Sequence, residues 1–254
     1  MSYLVDATGE NLQGVFSASP GNVPMTLACF IRVADWDTSN AAAFCMGINT
    51  TSWDYSHTIQ LQAVADRAAF QSRDTASSGA PFTGTANQWN DIWVPIVGTT
   101  SSTSNRDIYV DAYTNSGNDP TFRGVGSSDM DVVTLGDRPE AALSIPLNGL
   151  IAHAALWTTA LSQTDIEAFM AATSQADIEA IASASRVGYW PLNYNNATQT
   201  NEDDAGNCDL TVTNATYSLD DPFSGPVITD VNGTESWTDG DTGLVITGTG
   251  FLAT

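Results

Sequence analysis

Short segments in which apolar and polar residues alternate, separated by turn-rich loops, fill most of the chain before residue 160. In MTLACFIRV (25–33), for example, Met, Leu, Cys, Ile and Val occupy every second position. Because successive side chains of a strand point to opposite faces, this period of two predicts strands with one buried face. Many such strands with almost no helix between them predict an all-β, antiparallel two-sheet sandwich.

Further segments along the chain are predicted as strands, by alternation or, at 41–48, by a continuous apolar run. They span 41–48, 57–65, 68–74, 90–99, 106–114, 130–137 and 148–158, with a last pair of short strands at 208–219. Segments 57–65 and 68–74 lie close enough in sequence to form a hairpin. Pro95 predicts an edge strand or a bulge for its segment, because proline cannot donate a ladder hydrogen bond.

Two tandem segments break the strand pattern. SQTDIEAFMAAT (162–173) is followed at once by SQADIEAIASAS (174–185), a repeat with a period of twelve residues. Each copy begins with Ser and has Asp three residues later, which is an N-cap arrangement that satisfies free helix N–H groups. The repeat therefore predicts one or two short helices rather than a pair of catalytic or metal-binding carboxylates. The apolar residues expected to be buried are Ile166, Phe169, Ile178 and Ile181.

The charge balance excludes several classes of partner. The chain has seven Arg and no Lys against 29 acidic residues, which gives a net charge of −22. Because neutralising phosphate groups requires basic side chains, nucleic acid and anionic membrane surfaces are not expected as partners. The same charge favours solubility and cation binding, and it suits a salty medium in which ions screen self-repulsion.

The three cysteines do not form a metal-binding pattern. No Cys-x-x-Cys motif or Cys/His cluster occurs, so zinc is not expected. Cys29 and Cys45 lie in apolar segments and are expected to behave as small core residues. A disulfide between them remains an alternative if their strands are neighbours.

Export and membrane signals are not found in the sequence. The N-terminal stretch MSYLVDATGENLQG has no basic region followed by an apolar run, so no secretory signal is expected. No segment approaches the ~18 consecutive apolar residues of a membrane-spanning helix, so membrane insertion is not expected.

Several motifs, in order along the chain, resemble those of laminin-G-like, concanavalin A-like domains. In LNGLIAHAALWTTALSQTDIEAF (147–169), Leu-Asn-Gly opens a late strand, an aromatic closes it, and Ala-Leu-Ser leads into a short helix. Four other stretches agree with the family: PMTLACFIRVADW, NQWNDIWVPIVGT with RDIYVDAYTNSG, VTLGD and VGYWPLN. The resemblance covers residues 1–222 and implies an antiparallel two-sheet jelly roll.

The end of the chain resembles a different family. After a linker, GPVITDVNGTESWTDGDTGLVITGTGF is similar to the first two strands of an immunoglobulin-like IPT/TIG domain. A complete immunoglobulin-like sandwich needs about 100 residues and seven strands, and two strands alone are marginal in water. We therefore expect residues 223–254 to be a linker and the N-terminal strands of an incomplete domain, as in a piece of a longer multi-domain protein.

A glycoside hydrolase is an alternative that concanavalin A-like relatives suggest. A retaining glycosidase needs two carboxyl groups about 5 Å apart. If 106–114 is one strand, Asp107 and Asp111 share a face, but Tyr109 and Tyr113 share it too. The Glu-x-Asp-x-x-Glu arrangement of the hydrolytic relatives is absent, and His153 has the alternation of a structural sheet residue. The sequence therefore predicts a non-catalytic protein.

Calcium is the cofactor that the sequence supports best. Ca²⁺ takes six to eight oxygen ligands from carboxylates, carbonyls and water. The loop EDDAGNCD (202–209) concentrates such ligands around a glycine, although its spacing is not that of an EF-hand. The candidate ligands are Asp203, Asp204, Asn207 and Asp209, with Asp35 and Asp37 as a weaker second pair. A solvated acidic turn is the alternative.

Glycan-binding sites commonly place exposed aromatic rings beside polar groups, since sugar faces stack on rings. Trp53 and Tyr55, in the loop INTTSWDYSH, fit this requirement best and are the candidate ligand-binding residues. The other tryptophans in motif positions are expected in the core. They are Trp89, Trp93, Trp157 and Trp190.

The pattern as a whole resembles phage tail, fibre and capsid-decoration proteins. It predicts a structural or adhesive component at the virion surface of a marine bacteriophage, binding other virion proteins or host-surface glycans. A bacterial cell-surface adhesin or carbohydrate-binding module, located outside the cell, is the alternative, and a homo-oligomer is compatible with either.

Overall fold

The computed structural model describes ten stretches of the chain, with the backbone alone at 78–79 and 82–83. They are residues 1–34, 40–48, 55–62, 67–73, 78–79, 82–83, 89–121, 130–138, 144–203 and 208–223. One compact unit comprises Met1–Phe223. The predicted immunoglobulin-like strands, Trp53, Asp35, Asp37, Asp204 and Asn207 lie outside the described residues.

An eight-stranded sheet forms one layer of the sandwich. Across the sheet, its strands are β11 (Ala112–Asp119), β10 (Asn105–Val110), β9 (Val94–Ser102), β3 (Met25–Val33), β13 (Gly149–Trp157), β1 (Ser2–Val5) and β17 (Thr216–Ser218), while β14 (Arg186–Trp190) also pairs with β13. All pairings among these strands are antiparallel.

A nine-stranded sheet forms the other layer. Its strands, in order, are β15 (Thr198–Gln199), β16 (Leu210–Thr213), β2 (Asn11–Val15), β12 (Val132–Leu135), β4 (Ala41–Gly47), β5 (Ser56–Gln62), β6 (Arg67–Arg73) and β7 (Ser78–Gly79), while β8 (Phe82–Thr83) pairs with β6. These pairings are antiparallel too. The predicted all-β, two-sheet jelly roll, including the β5–β6 hairpin, is confirmed.

The main core fills the space between the two sheets. Alternate residues of each strand point inwards, and large rings from both sheets interdigitate, among them Phe44, Phe70 and Trp190. The two sheets approach closely at Gly98, where the Phe70 ring fills the space that a side chain would need. A Cβ added at Gly98 would lie 2.3 Å from a ring carbon of Phe70. Of the four tryptophans expected in the core, Trp89, Trp157 and Trp190 are buried, whereas Trp93 is half-buried.

Two helices cover the outer face of the eight-stranded sheet. They are α1 (Gln163–Met170) and α2 (Gln175–Ala180), and the predicted caps form at Ser162 and Ser174. A second apolar cluster lies beneath the helices and includes all four residues predicted to be buried: Ile166, Phe169, Ile178 and Ile181. Among the described residues, no helix is long and apolar enough to cross a membrane.

The segment 106–114 is not one strand, contrary to the sequence-based expectation. The chain turns back at Asp111, which has a φ of 65°, and the next strand, β11, pairs with β10. The Asn115 side chain stabilises this reversal by donating a hydrogen bond to the Val110 carbonyl at 3.0 Å. An uninterrupted run of alternating residues therefore concealed a hairpin.

Pro95 lies neither on an edge strand nor at a bulge of its own strand, so that prediction is wrong. β9 pairs with β3 on one side and β10 on the other. The Pro95 carbonyl accepts from the Asp111 N–H at 2.9 Å, just beyond the last β9–β10 pair. Because N and O of one strand residue point the same way, the missing donor falls outside the ladder.

The cysteines are free thiols, which excludes the alternative of a Cys29–Cys45 disulfide. Cys29 belongs to β3 and Cys45 to β4, so the two residues lie in different sheets.

The last two strands, predicted as a pair at 208–219, also lie in different sheets: β16 joins the nine-stranded sheet and β17 joins the eight-stranded sheet.

Candidate functional site

Tyr55 does not present a free ring for stacking on a sugar. It has a φ of 60°, is half-buried, and packs against the core between the sheets. Its partner in the prediction, Trp53, is outside the described residues. The predicted aromatic site at Trp53 and Tyr55 therefore stays a prediction.

The described residues of the proposed calcium loop already have protein partners. Both carboxylate oxygens of Asp203 accept from Arg186, at 2.7 Å from Nε and 2.7 Å from Nη2. One oxygen of Asp209 accepts from the Asn201 N–H at 2.9 Å. Within the described stretches, no group of three or more His, Cys, Asp or Glu could hold a metal. A calcium ion at this loop would have to share or replace the Arg186 contact at Asp203, so the predicted calcium site stays a prediction.

The carboxylates considered for glycosidic chemistry do not share a strand. Asp107 lies in β10 and accepts from Asn118 at 2.6 Å, whereas Asp111 is exposed at the turn. The Tyr109 and Tyr113 rings stack with centroids 4.9 Å apart. The spacing argument for a carboxylate pair at Asp107 and Asp111 therefore fails.

Both histidines have structural environments. His57 is fully buried, and burial lowers its pKa to about 4. Its Nε2 lies 2.7 Å from the Asn22 carbonyl and therefore donates, so Nδ1 accepts from the Ser72 hydroxyl at 2.7 Å. Burial likewise lowers the pKa of His153 to about 4, against the opposing effect of Asp221. Neutral, buried imidazoles of this kind hold the fold together and are not positioned as bases.

A row of polar side chains crosses the outer face of the nine-stranded sheet. The pairing registers align one residue from each of six neighbouring strands, and five of the six are Thr or Gln. In order, the row is Thr211, Gln13, Thr134, Cys45, Thr58 and Gln71. We call this set the polar row.

Hydrogen bonds link neighbours within the polar row. Gln13 donates to the Thr134 hydroxyl at 3.2 Å, and Thr58 donates to the Cys45 sulfur at 3.3 Å. The three central residues are buried, while Thr211 is exposed and Gln13 and Gln71 are half-buried. The Gln71 side-chain oxygen is buried and has no hydrogen-bond partner. The row is therefore partly exposed at its two ends, and the buried Gln71 oxygen at one of them is an unused acceptor.

The sequence-based interpretation missed the polar row. The alternation in SHTIQLQ already placed Thr58 and Gln60 opposite the apolar Ile59 and Leu61. That signal identifies a polar outer face for one strand. It does not reveal that six strands align their polar residues, because register depends on pairing between segments far apart in sequence.

A family model described as the concanavalin A-like lectin/glucanases superfamily, of laminin G type, matches residues 11–167. The chain belongs to this superfamily. The match begins at β2 and ends within α1, so it includes most strands of both sheets. No curated protein matches the chain in sequence.

Solved structures share the concanavalin A-like fold at low identity. A candidate carbohydrate-binding protein from Bacteroides ovatus has a TM-score of 0.57 and 12% identity, over 85% of this chain and 58% of its own length. The carbohydrate-binding module CBM40 of a Ruminococcus gnavus sialidase has a TM-score of 0.50 and 12% identity, over 66% of this chain and 96% of its own. The enzymatically active domain of tailspike protein 2 from bacteriophage CBA120 has a TM-score of 0.50 and 10% identity, over 74% of this chain and 31% of its own. The chain thus spans 58% of the Bacteroides protein, and these likenesses show the fold alone.

Proposed function

We propose that this chain is a non-catalytic glycan-binding domain that uses the outer face of the nine-stranded sheet. The observation that carries the proposal is the polar row, with a buried and unpaired acceptor oxygen on Gln71, whose side chain is half-buried at one end of the row. Sugar hydroxyls both donate and accept hydrogen bonds, so Thr hydroxyls and Gln amides match them without a net charge. The carbohydrate-binding neighbours in the same fold support the proposal by analogy.

Substitutions of the two half-buried glutamines of the polar row test this function. Gln71→Ala and Gln13→Ala should each weaken glycan binding about tenfold, since each removes a side chain that hydrogen-bonds a sugar hydroxyl. Thr114→Ala is the matched control, because Thr114 is exposed on β11 of the other sheet. Binding is measured on a glycan array and then by calorimetry. Equal binding by all three variants, or no binding by the parent chain, would overturn the proposal.

We propose further that the domain is displayed on a virion, as part of a fibre, tail or capsid decoration. The lysine-free, acidic composition and the fold shared with a phage tailspike domain support this location. A bacterial surface adhesin or carbohydrate-binding module is the competing assignment. Mass spectrometry of purified virions should detect the chain, and its absence from them would favour the competing assignment.

Calcium binding at 202–209 stays a prediction of the sequence. If it is correct, calcium should raise the melting temperature relative to a chelator, and Asp209→Asn should abolish the difference. Asp91→Asn, on an exposed carboxylate elsewhere, is the control and should leave the difference unchanged. Identical melting with calcium and chelator would remove the metal from the proposal.

A further inference from the structure

One exposed aromatic ring lies in the loop that precedes β15. Among the aromatic residues whose side chains the structure describes, only Tyr194 is exposed, at 52%. The two residues that follow it, Asn195 and Asn196, are exposed as well. A free ring beside amide groups is an arrangement that suits a sugar, because the ring can pack against its C–H face while the amides bind its hydroxyls.

Buried side chains hold the backbone beneath this ring. The Tyr194 carbonyl accepts from the Tyr3 hydroxyl at 2.7 Å and from the Gln199 amide at 2.9 Å. The Asn196 carbonyl accepts from the same two groups, at 3.0 Å and 3.1 Å. Tyr3 is only 1% exposed and Gln199 only 2%. Because the backbone is fixed and a tyrosine has few rotatable bonds, Tyr194 presents its ring at a low entropic cost of binding.

The strand that follows connects this loop to the polar row. Thr198 of β15 pairs with Thr211, which in turn pairs with Gln13. Paired residues point to the same face of a sheet, so Thr198 continues the line of the polar row by one strand. Both threonines are exposed, whereas the central residues of the row are buried. Tyr194 precedes Thr198 by four residues, so their Cα atoms are at most ~14 Å apart. One oligosaccharide can therefore contact the ring and this end of the row together.

The segments at this end of the sheet carry no charge, in a chain with 29 acidic residues. No Asp, Glu, Lys or Arg occurs in NYNNATQT (193–200), in β16 or in β2. Their amides and hydroxyls donate and accept hydrogen bonds without a net charge. An acidic sugar would find no cation in these segments, and the net charge of −22 would repel a polyanionic glycan.

We propose that Tyr194 is the stacking platform of a subsite for a neutral hexopyranose, at the Thr198 end of the sheet. This inference rests on the proposed glycan-binding function and adds the class of sugar and the place where it binds. A β-linked glucose or galactose unit has several axial C–H groups on one face, which pack against the ring. Its hydroxyls remain free for the exposed side chains of Thr198 and Thr211.

The first test compares neutral and acidic oligosaccharides of equal length by calorimetry. Cellohexaose and β-1,4-galactohexaose are the neutral probes, and hexagalacturonate is the acidic one. At least one neutral probe should bind about tenfold more tightly than hexagalacturonate. Saturation-transfer NMR should then show the strongest transfer from the protein to the axial protons of one sugar face. Equal or tighter binding of hexagalacturonate, or equal transfer to both faces, would overturn this inference.

Variants test the ring itself. Tyr194→Ala should weaken binding of the neutral probe about tenfold, whereas Tyr194→Phe and Tyr194→Trp should retain it, because the ring and not the hydroxyl makes the contact. Ile92→Ala is the control, since Ile92 is a 48% exposed apolar residue that precedes β9 of the other sheet. Equal melting temperatures show that the variants are folded, as expected for changes to exposed side chains.

The outcomes separate this subsite from the proposed function. Unchanged binding by Tyr194→Ala, with weaker binding by Gln13→Ala, would overturn the subsite and leave glycan binding at the polar row intact. Failure to bind either neutral probe, in a chain that binds other glycans on an array, would also overturn the subsite alone. Absence of binding to every glycan on the array would overturn both proposals.

Discussion

At the level of single residues, Arg186 shows how a partly buried ion pair engages one carboxylate of the loop predicted to bind calcium. Its guanidinium donates to both oxygens of Asp203 and also to the Ile178 carbonyl at 2.7 Å. The same group lies 5.4 Å from the centre of the Tyr189 ring. Arg186 therefore connects α2, β14 and the turn at 203.

Asp203→Asn should lower the free energy of unfolding by about 3 kcal/mol, because it leaves a buried guanidinium without its counter-charge. The Arg186 side chain is only 5% exposed and the Asp203 side chain 14%. Asp91→Asn, which breaks an Arg32 pair whose carboxylate is 70% exposed, is the control and should cost less than about 1 kcal/mol. Urea unfolding measures both, and equal costs would contradict a structural role for Asp203.

The buried histidines predict a pH dependence of stability. The pKa of each falls from an ordinary 6.5 to about 4, so between those values the unfolded chain binds protons that the folded chain excludes. Stability is therefore fully present above pH 6.5 and decreases as the pH falls towards 4, by about 3 kcal/mol for each histidine. His153→Gln should remove about half of that decrease, measured by urea unfolding across the window. An unchanged slope in the variant would show that His153 titrates normally.

The individual site residues were the hardest feature to predict. Tyr55 and Asp203 were chosen for their residue type, and the structure directs Tyr55 towards the core and Asp203 towards Arg186. Tyr55 packs against core residues that are distant from it in sequence. Asp203 pairs with Arg186, which the sequence analysis did not recognise as a buried charge that needs a carboxylate partner. Residue type alone specifies what a side chain can do, whereas its neighbours determine what it does.

Among the elements, the helices followed most directly from the sequence. The Ser162 hydroxyl accepts from the Asp165 N–H at 3.3 Å, and the Asp165 carboxylate accepts in return from the Ser162 N–H at 3.3 Å. These contacts join residues three apart, so a short sequence pattern contains all of them. The hairpin at Asp111 and the polar row depend instead on the register between paired strands, and the local sequence pattern predicted neither of them.

Removing the α1 cap should cost about 1 kcal/mol of stability. Ser162→Ala leaves the first-turn N–H of Asp165 without its acceptor, and chemical denaturation measures the loss. Thr164→Ala is the matched control, since Thr164 is exposed in the same turn and alanine favours helix. A cost at Thr164 as large as that at Ser162 would argue against the capping box.

On the scale of the whole molecule, negative charge should limit stability at low salt. Acidic residues outnumber arginines by 29 to 7, so repulsion among them exceeds the attraction of the ion pairs. Adding NaCl should therefore raise the melting temperature, because ions screen that repulsion. KCl at equal ionic strength is the control and should give the same rise. A melting temperature that falls with salt would mean that the arginine pairs dominate.

The architecture was predictable because many independent segments agreed on it. Ten predicted strands, turns between them and family motifs in order all pointed to a two-sheet jelly roll. One wrongly interpreted segment, such as 106–114, did not change that conclusion. A single site has no such redundancy, which explains why the fold was predicted and the polar row was not.

The two helices over the eight-stranded sheet also provide a site for attaching the protein to a surface in a known orientation. All three native thiols are buried and none is more than 4% exposed, so a cysteine introduced on the exposed side of α1 would be the reactive one. If the protein is coupled to a sensor chip through Glu167→Cys, its helices face the chip and the polar row faces the solution. Coupling through Thr211→Cys would press that row against the support. The chip coupled through Glu167→Cys should capture glycans and the chip coupled through Thr211→Cys should not. This difference would identify the face of the sandwich that binds the glycan.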